Sequence, residues 1–148
     1  MIALWCAFGL AAEVAYNFGL AEVTLGVLPG TGGTPRLPRL IGRQKALDLM
    51  LRGAAVQPAQ AKELGIVDEV YPAAELQQRA HDYLAKLVTG PTLAIGKIKL
   101  ATVLGGGMTF QDGMLYEHEA VGRLFASADA KEGVTAFAEK RKPTYTGQ

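Results

Sequence analysis

The sequence predicts a chain that is mixed α/β at its front and all-helical behind, divided near Pro72. Three observations carry this. Residues 18–28 are an apolar stretch with β-branched residues that ends in Pro-Gly. Residues 66–71 alternate Ile66, Asp68 and Val70 with Val67, Glu69 and Tyr71, the two-residue period of a strand. Beyond Pro72, apolar residues recur only at helical spacing. The expected domains are residues 1–72 and residues 73–148.

Taken in order, the first dozen residues, MIALWCAFGLAA, predict a buried helix or strand. They lack the basic start of a signal peptide, and the run stops at Glu13, short of the ~20 residues of a membrane span. Phe18 to Leu28 predicts extended chain running into the turn PGTGGTP. Thr34-Pro35 predicts a helix start, with Thr34 as N-cap and Pro35 at the first helical position. Arg43 to Arg52 places Ala46, Leu47, Met50 and Leu51 on one helical face, and Gly53 stops it. Gln57-Pro58 opens a short helix that Gly65 ends, and the strand 66–71 follows.

Leu76, Ala80, Tyr83, Leu84 and Leu87 then mark an amphipathic helix. Gly90-Pro91 separates it from a second helix that reaches Leu104, before three glycines break the chain. Thr109 to Asp112 has the spacing of a capping box, and the helix behind it carries Phe110, Met114, Val121 and Phe125 on one side. A last helix begins near Asp129 with Val134, Phe137 and Ala138 on its apolar face. The polar tail after Pro143 is expected to fray.

Composition excludes several functions. Of 148 residues, 49% are apolar and 20% charged, which is the profile of a folded domain rather than a disordered segment. Fifteen Lys and Arg against 14 acids leave no field to grip nucleic acid or an anionic membrane. The single cysteine, Cys6, allows no internal disulfide and fits a reducing compartment. No C-x-x-C or H-E-x-x-H spacing signals a metal. PGTGGT is neither a P-loop nor a dinucleotide fingerprint, and His81 and His118 read as ordinary surface positions on helices.

The segments FGLAEVTLGVLPGTGGTPRLPRLIG, ALDLMLRGAAVQPAQAKELGIVDEVYP and AKEGVTAFAEKRKP occur in order. Together they resemble the enoyl-CoA hydratase/isomerase (crotonase) family over residues 10–143. The resemblance implies a crotonase-like fold: part of the family's ββα spiral core, then a helical region that makes trimer contacts, with dimers of trimers common. It implies an acyl-CoA thioester as substrate, with CoA as part of that substrate and no further cofactor. It places the reaction in the cytoplasm, or in the mitochondrial matrix of a eukaryote.

Hydratases of this family position one water between two glutamates, and two backbone N–H groups hold the thioester oxygen. Glu22 falls on the second glutamate of that pattern and is the candidate acid/base. Its plainer role would be capping or pairing at a strand start. Gly30 falls on the glycine whose N–H helps hold the water, and it would also permit the turn. Leu25 falls on an acyl-pocket wall, though a leucine in a core strand needs no such role. Lys140, in EKRK, falls on a lysine that reaches the CoA phosphates as a point charge; such clusters at a chain end are otherwise merely solvated.

The sequence also departs from the family. Its first glutamate would fall near Met1, and the glycine-rich oxyanion stretch has no counterpart, so the chain reads as lacking an N-terminal half. Ala7 follows Cys6 where aspartate is frequent, Ala21 replaces a frequent proline, and one extra residue separates Glu13 from Phe18. Three functions follow: hydration of 2-enoyl-CoA thioesters, with a truncated chain expected to be inactive alone; isomerisation of 3-enoyl-CoA, which needs one glutamate; or a non-catalytic assembly fragment.

Overall fold

The computed structural model describes Leu4 and residues 6–148. The expectation at Met1, and the part of the apolar start formed by Ile2, Ala3 and Trp5, lie outside the described residues. The chain divides into two compact units, one ending at Ala80 and the other His81–Gln148.

The first unit holds two short strand pairs and three helices. β1 (Leu10–Glu13) runs parallel to β4 (Glu69–Pro72), with Ala11 opposite Val70. Asp68 fixes the entry to this pairing: its N–H donates to the Gly9 carbonyl at 2.7 Å, and its carboxylate accepts the Gly9 N–H at 2.6 Å. β2 (Phe18–Gly19) runs antiparallel to β3 (Ala55–Val56). Along the chain α1 (Gly33–Ile41) and α2 (Arg43–Arg52) connect β2 to β3, and α3 (Pro58–Leu64) connects β3 to β4. One apolar core joins them, with Ala11 of β1, Leu37 of α1, Ala46 and Met50 of α2, Val56 of β3 and Ala61 of α3 all buried.

Several sequence expectations change here. Of the apolar start, Cys6 to Phe8 are exposed, and only its last residues enter β1. Residues 18–28 are not one extended run: after β2 the chain closes into a 3₁₀ turn, Glu22–Leu25. α1 starts earlier than Thr34, with Gly32 as N-cap and Thr34 and Pro35 already inside the helix. No side chain caps it. α2 has the expected bounds, yet of the expected face only Ala46 and Met50 are buried while Leu47 and Leu51 are exposed, and Leu49 packs against the core instead. α3 runs from Pro58 to Gly65 as expected. The strand expected at 66–71 begins at Glu69, because Ile66 and Val67 bend inward to the core before the pairing starts.

The second unit is helical. α4 (Leu76–Val88) spans the division, followed by α5 (Thr92–Gly105), α6 (Phe110–Phe125) and α7 (Ala128–Ala138). Only half of the expected capping box forms at α6: Thr109 Oγ caps the helix by accepting the Asp112 N–H at 3.2 Å, while the Asp112 carboxylate accepts from the Thr109 hydroxyl at 2.7 Å instead of from the Thr109 N–H. Ser127 caps α7 by accepting the Ala130 N–H at 3.0 Å. Few side chains are buried: α4 and α5 bury none, α6 only Ala120, and α7 Asp129 and Ala136. The apolar faces predicted for α6 and α7 are exposed, Phe137 to 85%. No single helix among the described residues is long and apolar enough to cross a membrane.

The tail does not fray. The Thr144 N–H donates to Glu132, the Thr146 and Gly147 N–H groups donate to the two oxygens of Asp129, and the Asp129 N–H donates to the Gln148 carbonyl. The acids that hold it lie on the first turns of α7, twelve to eighteen residues upstream, where no local pattern signals the contact.

Candidate active site

Glu22 opens the 3₁₀ turn that follows β2. Leu20, two residues before it, is buried and anchors the segment in the core. The turn closes on itself: the Thr24 N–H and hydroxyl both donate to the Ala21 carbonyl, at 3.0 and 2.7 Å. Gly26 ends it in the left-handed conformation at φ 72°. Its outer side rests on Gly53 at the end of α2, where an added Cβ would stand 3.1 Å from both the Val23 and Thr24 methyl carbons. The backbone of Glu22 is therefore held by β2 on one side and α2 on the other.

The Glu22 side chain is half-buried. Its Oε2 is the one buried side-chain oxygen among the described residues without a hydrogen-bond partner. Leaving such an acceptor unsatisfied costs about 1–3 kcal/mol, more if it is charged. An exposed glutamate would satisfy itself with water, and a capping glutamate would accept a backbone N–H. Glu22 does neither within this chain. Within this chain its Oε2 is left as an acceptor without a donor.

Gly30 is brought toward this segment through Gly33. An added Cβ at Gly33 would lie 2.7 Å from Pro29 and 2.8 Å from Leu20. The first residue of α1 thus touches both the residue before Gly30 and the residue two before Glu22, so both loops share one close-packed anchor. Gly30 itself is exposed and its N–H makes no hydrogen bond among the described residues. Its expected role in permitting the turn is not needed: the left-handed backbone falls on Gly32, at φ 89°. A Cβ at Gly30 would meet only the Leu28 carbonyl, at 3.9 Å. What remains for Gly30 is an unused amide donor on an open face.

Leu25 ends the 3₁₀ turn and is 80% exposed, not in a core strand as its surroundings in sequence suggest. Lys140 lies in the second unit, exposed, just past the end of α7. It is the one non-glycine residue with left-handed backbone among the described residues, at φ 55°. Beside it, Arg141 donates to Glu132 through two nitrogens at 2.6 and 2.8 Å and to Glu139 at 2.6 Å. The fork from Arg141, with the Thr144 N–H second, holds the Glu132 carboxyl down at about 2, and the two carboxylates push the Arg141 guanidinium up. Sequence reading missed Asp129, Glu132 and Arg141; their acid–base spacing crosses a helix end and resembles ordinary surface charge.

These elements recur closely in solved enoyl-CoA hydratases. An enoyl-CoA hydratase from Geobacillus kaustophilus superposes with a TM-score of 0.94 at 45% identity, over 98% of this chain and 55% of that one. Another from Bacillus anthracis gives 0.91 at 38% identity, over 98% and 56%. The fold is crotonase-like: a partial β-containing core followed by a helical region. In sequence, the chain is 36% identical over 147 residues to an enoyl-CoA isomerase/hydratase of Mycosarcoma maydis, covering 99% of this chain and 54% of that protein. It is 35% identical to the 2,3-dehydroadipyl-CoA hydratase of Escherichia coli, covering 99% and 57%. The whole chain, residues 1–148, matches the family described as Enoyl-CoA hydratase/isomerase. The chain belongs to the enoyl-CoA hydratase/isomerase family, and it spans about half the length of the curated relatives it matches.

Proposed function

We propose that this chain carries the Glu22 side of a site that adds water to 2-enoyl-CoA thioesters. The unpartnered Oε2 of Glu22 is the observation that carries the proposal. In this reading water binds between Glu22 and the Gly30 N–H. Its oxygen adds to C3 of the conjugated thioester while a carboxylate takes its proton, and a proton is delivered to C2. Negative charge gathers on the thioester oxygen, where backbone N–H donors are worth most. Leu25 faces the acyl chain, and Lys140 serves the CoA phosphates as a point charge.

A second reading, 3-enoyl-CoA to 2-enoyl-CoA isomerisation, has one specific support: Glu22 is the one carboxylate the chain offers at this site. There a single carboxylate takes a proton from C2 and returns it to C4, so nothing is added or lost. The exposed apolar faces of α5 to α7 support assembly into a trimer or a dimer of trimers, and the presence of a single cysteine, Cys6, supports a reducing compartment, the cytoplasm or a mitochondrial matrix. Glu22→Gln tests both reactions. It is expected to lower hydration of crotonyl-CoA, followed by loss of the conjugated-thioester absorbance, by roughly 10²–10⁴-fold. Isomerisation of a 3-enoyl-CoA is followed by the gain of that absorbance. Wild-type rates in the Glu22→Gln protein would remove Glu22 from the chemistry.

A further inference from the structure

Resting on the reading of Lys140 as a phosphate contact, we propose that the tail Thr144–Gln148 is a strap that sets the position of that ammonium, with Asp129 and Glu132 as its positioning residues. The turn after α7 is a built object. The Arg141 N–H donates to the Ala136 carbonyl at 3.0 Å and the Lys140 N–H to the Phe137 carbonyl at 3.2 Å. This is the paired closure of a Schellman motif, whose left-handed position glycine usually fills. Lysine stands there instead, at φ 55°. A non-glycine residue persists in that backbone only where its surroundings over-determine it.

The surroundings are visible. Arg141 donates to Glu132 within α7 and to Glu139 at the helix end. Glu132 then accepts the Thr144 N–H at 2.9 Å, so one carboxylate ties both the turn and the tail to α7. Asp129, 4% exposed, holds the Thr146 N–H at 2.7 Å and the Gly147 N–H at 3.0 Å. Within EKRK the arginine is therefore neutralised, while Lys140 and Lys142 are exposed and make no ion pair among the described residues. The cluster presents selected charges from a tied turn instead of a solvated chain end.

The experiment measures calorimetric binding of coenzyme A, and of pantetheine, which lacks its phosphates, to the full chain. Lys140→Ala, Asp129→Asn and deletion of residues 144–148 are each expected to weaken coenzyme A roughly two- to fivefold, the scale of one screened charge contact. Pantetheine binding should not change. The double variant Lys140→Ala/Asp129→Asn should bind no more weakly than Lys140→Ala alone. Far-UV circular dichroism checks the fold; if the deletion unfolds α7, Asp129→Asn, which keeps the side-chain shape, carries the test. If Lys140→Ala weakens coenzyme A but Asp129→Asn does not, the strap is wrong and the lysine contact stands. The strap is also wrong if the two losses add in full, or if pantetheine weakens equally. If Lys140→Ala has no effect, or wild type binds no coenzyme A, the lysine contact fails and the strap with it.

Discussion

Two glycines three residues apart, Gly30 and Gly33, should respond unequally to the same substitution. At Gly33 an added methyl would sit 2.7 Å from the Pro29 ring carbon and 2.8 and 3.3 Å from the two methyls of Leu20. The Pro29 ring cannot rotate away, and Leu20 is buried at 5% exposure, so relief requires a shift of α1 against the core. Overpacking of this kind costs about 1–3 kcal/mol. For a unit of this size each kcal/mol lowers the melting temperature by about 4–8 °C. At Gly30 the same methyl meets only the Leu28 carbonyl at 3.9 Å, and the backbone is not left-handed. Gly30→Ala should therefore stay within about 0.5 kcal/mol of wild type. Urea unfolding followed by far-UV circular dichroism separates the two, with an unchanged m-value showing that stability alone has moved. A Gly30→Ala protein as unstable as Gly33→Ala, or more so, would refute the shared-anchor account of how the two loops are held.

Two further outcomes follow from the helical unit. The Glu132 carboxyl, held at about 2 against an ordinary 4.5, is depressed on folding. Its contribution is thus complete above about pH 4.5 and lost as pH falls toward 2; carboxyl NMR should titrate near 2 and Thr144 amide exchange should quicken across that window, whereas titration near 4.5 would dissolve the Arg141 fork. Thr109→Ala removes both hydrogen bonds of the Thr109 hydroxyl at the start of α6 and should cost about 0.5–2 kcal/mol in thermal unfolding, while Thr109→Ser keeps them; equal losses in the two variants would show that the hydroxyl does not cap.

What sequence conveyed best was whatever is local. Gln57-Pro58 and Gly65 bound α3, Gly53 ends α2, and Thr109 with Asp112 opens α6, because each signal sits within four residues of its effect. Resemblance to the family located Glu22 and Gly30, which no periodicity would have distinguished from any glutamate or turn glycine. Contacts that are distant in sequence stayed hidden. The tie from Asp129 to Thr146 closes over seventeen residues, and the Gly9–Asp68 clamp over fifty-nine. The 3₁₀ turn at Glu22 was missed for another reason: Val23, Thr24 and Val27 have strand preferences, and the packing of that segment on Gly53 overrides them.

The Glu22 oxygen and the helical faces are unmet demands of different kinds. The oxygen lacks a single hydrogen-bond donor. The faces of α5 to α7 require area. Accessible surface totals 10375 Å², above the roughly 8,800 Å² that even two independent compact units of this combined mass would expose. Ile98, Val103, Leu115, Phe125 and Phe137 are each more than 60% exposed. Burying a side chain of this type contributes about 1.5–3 kcal/mol, so these five together represent up to about 8–15 kcal/mol, the scale of an entire domain's stability. Among the described residues, the first unit carries its own core of ten buried apolar residues. The helical half buries two alanines and one aspartate among the described residues, so little of its apolar surface is covered within this chain, and Lys140 is mounted on that half.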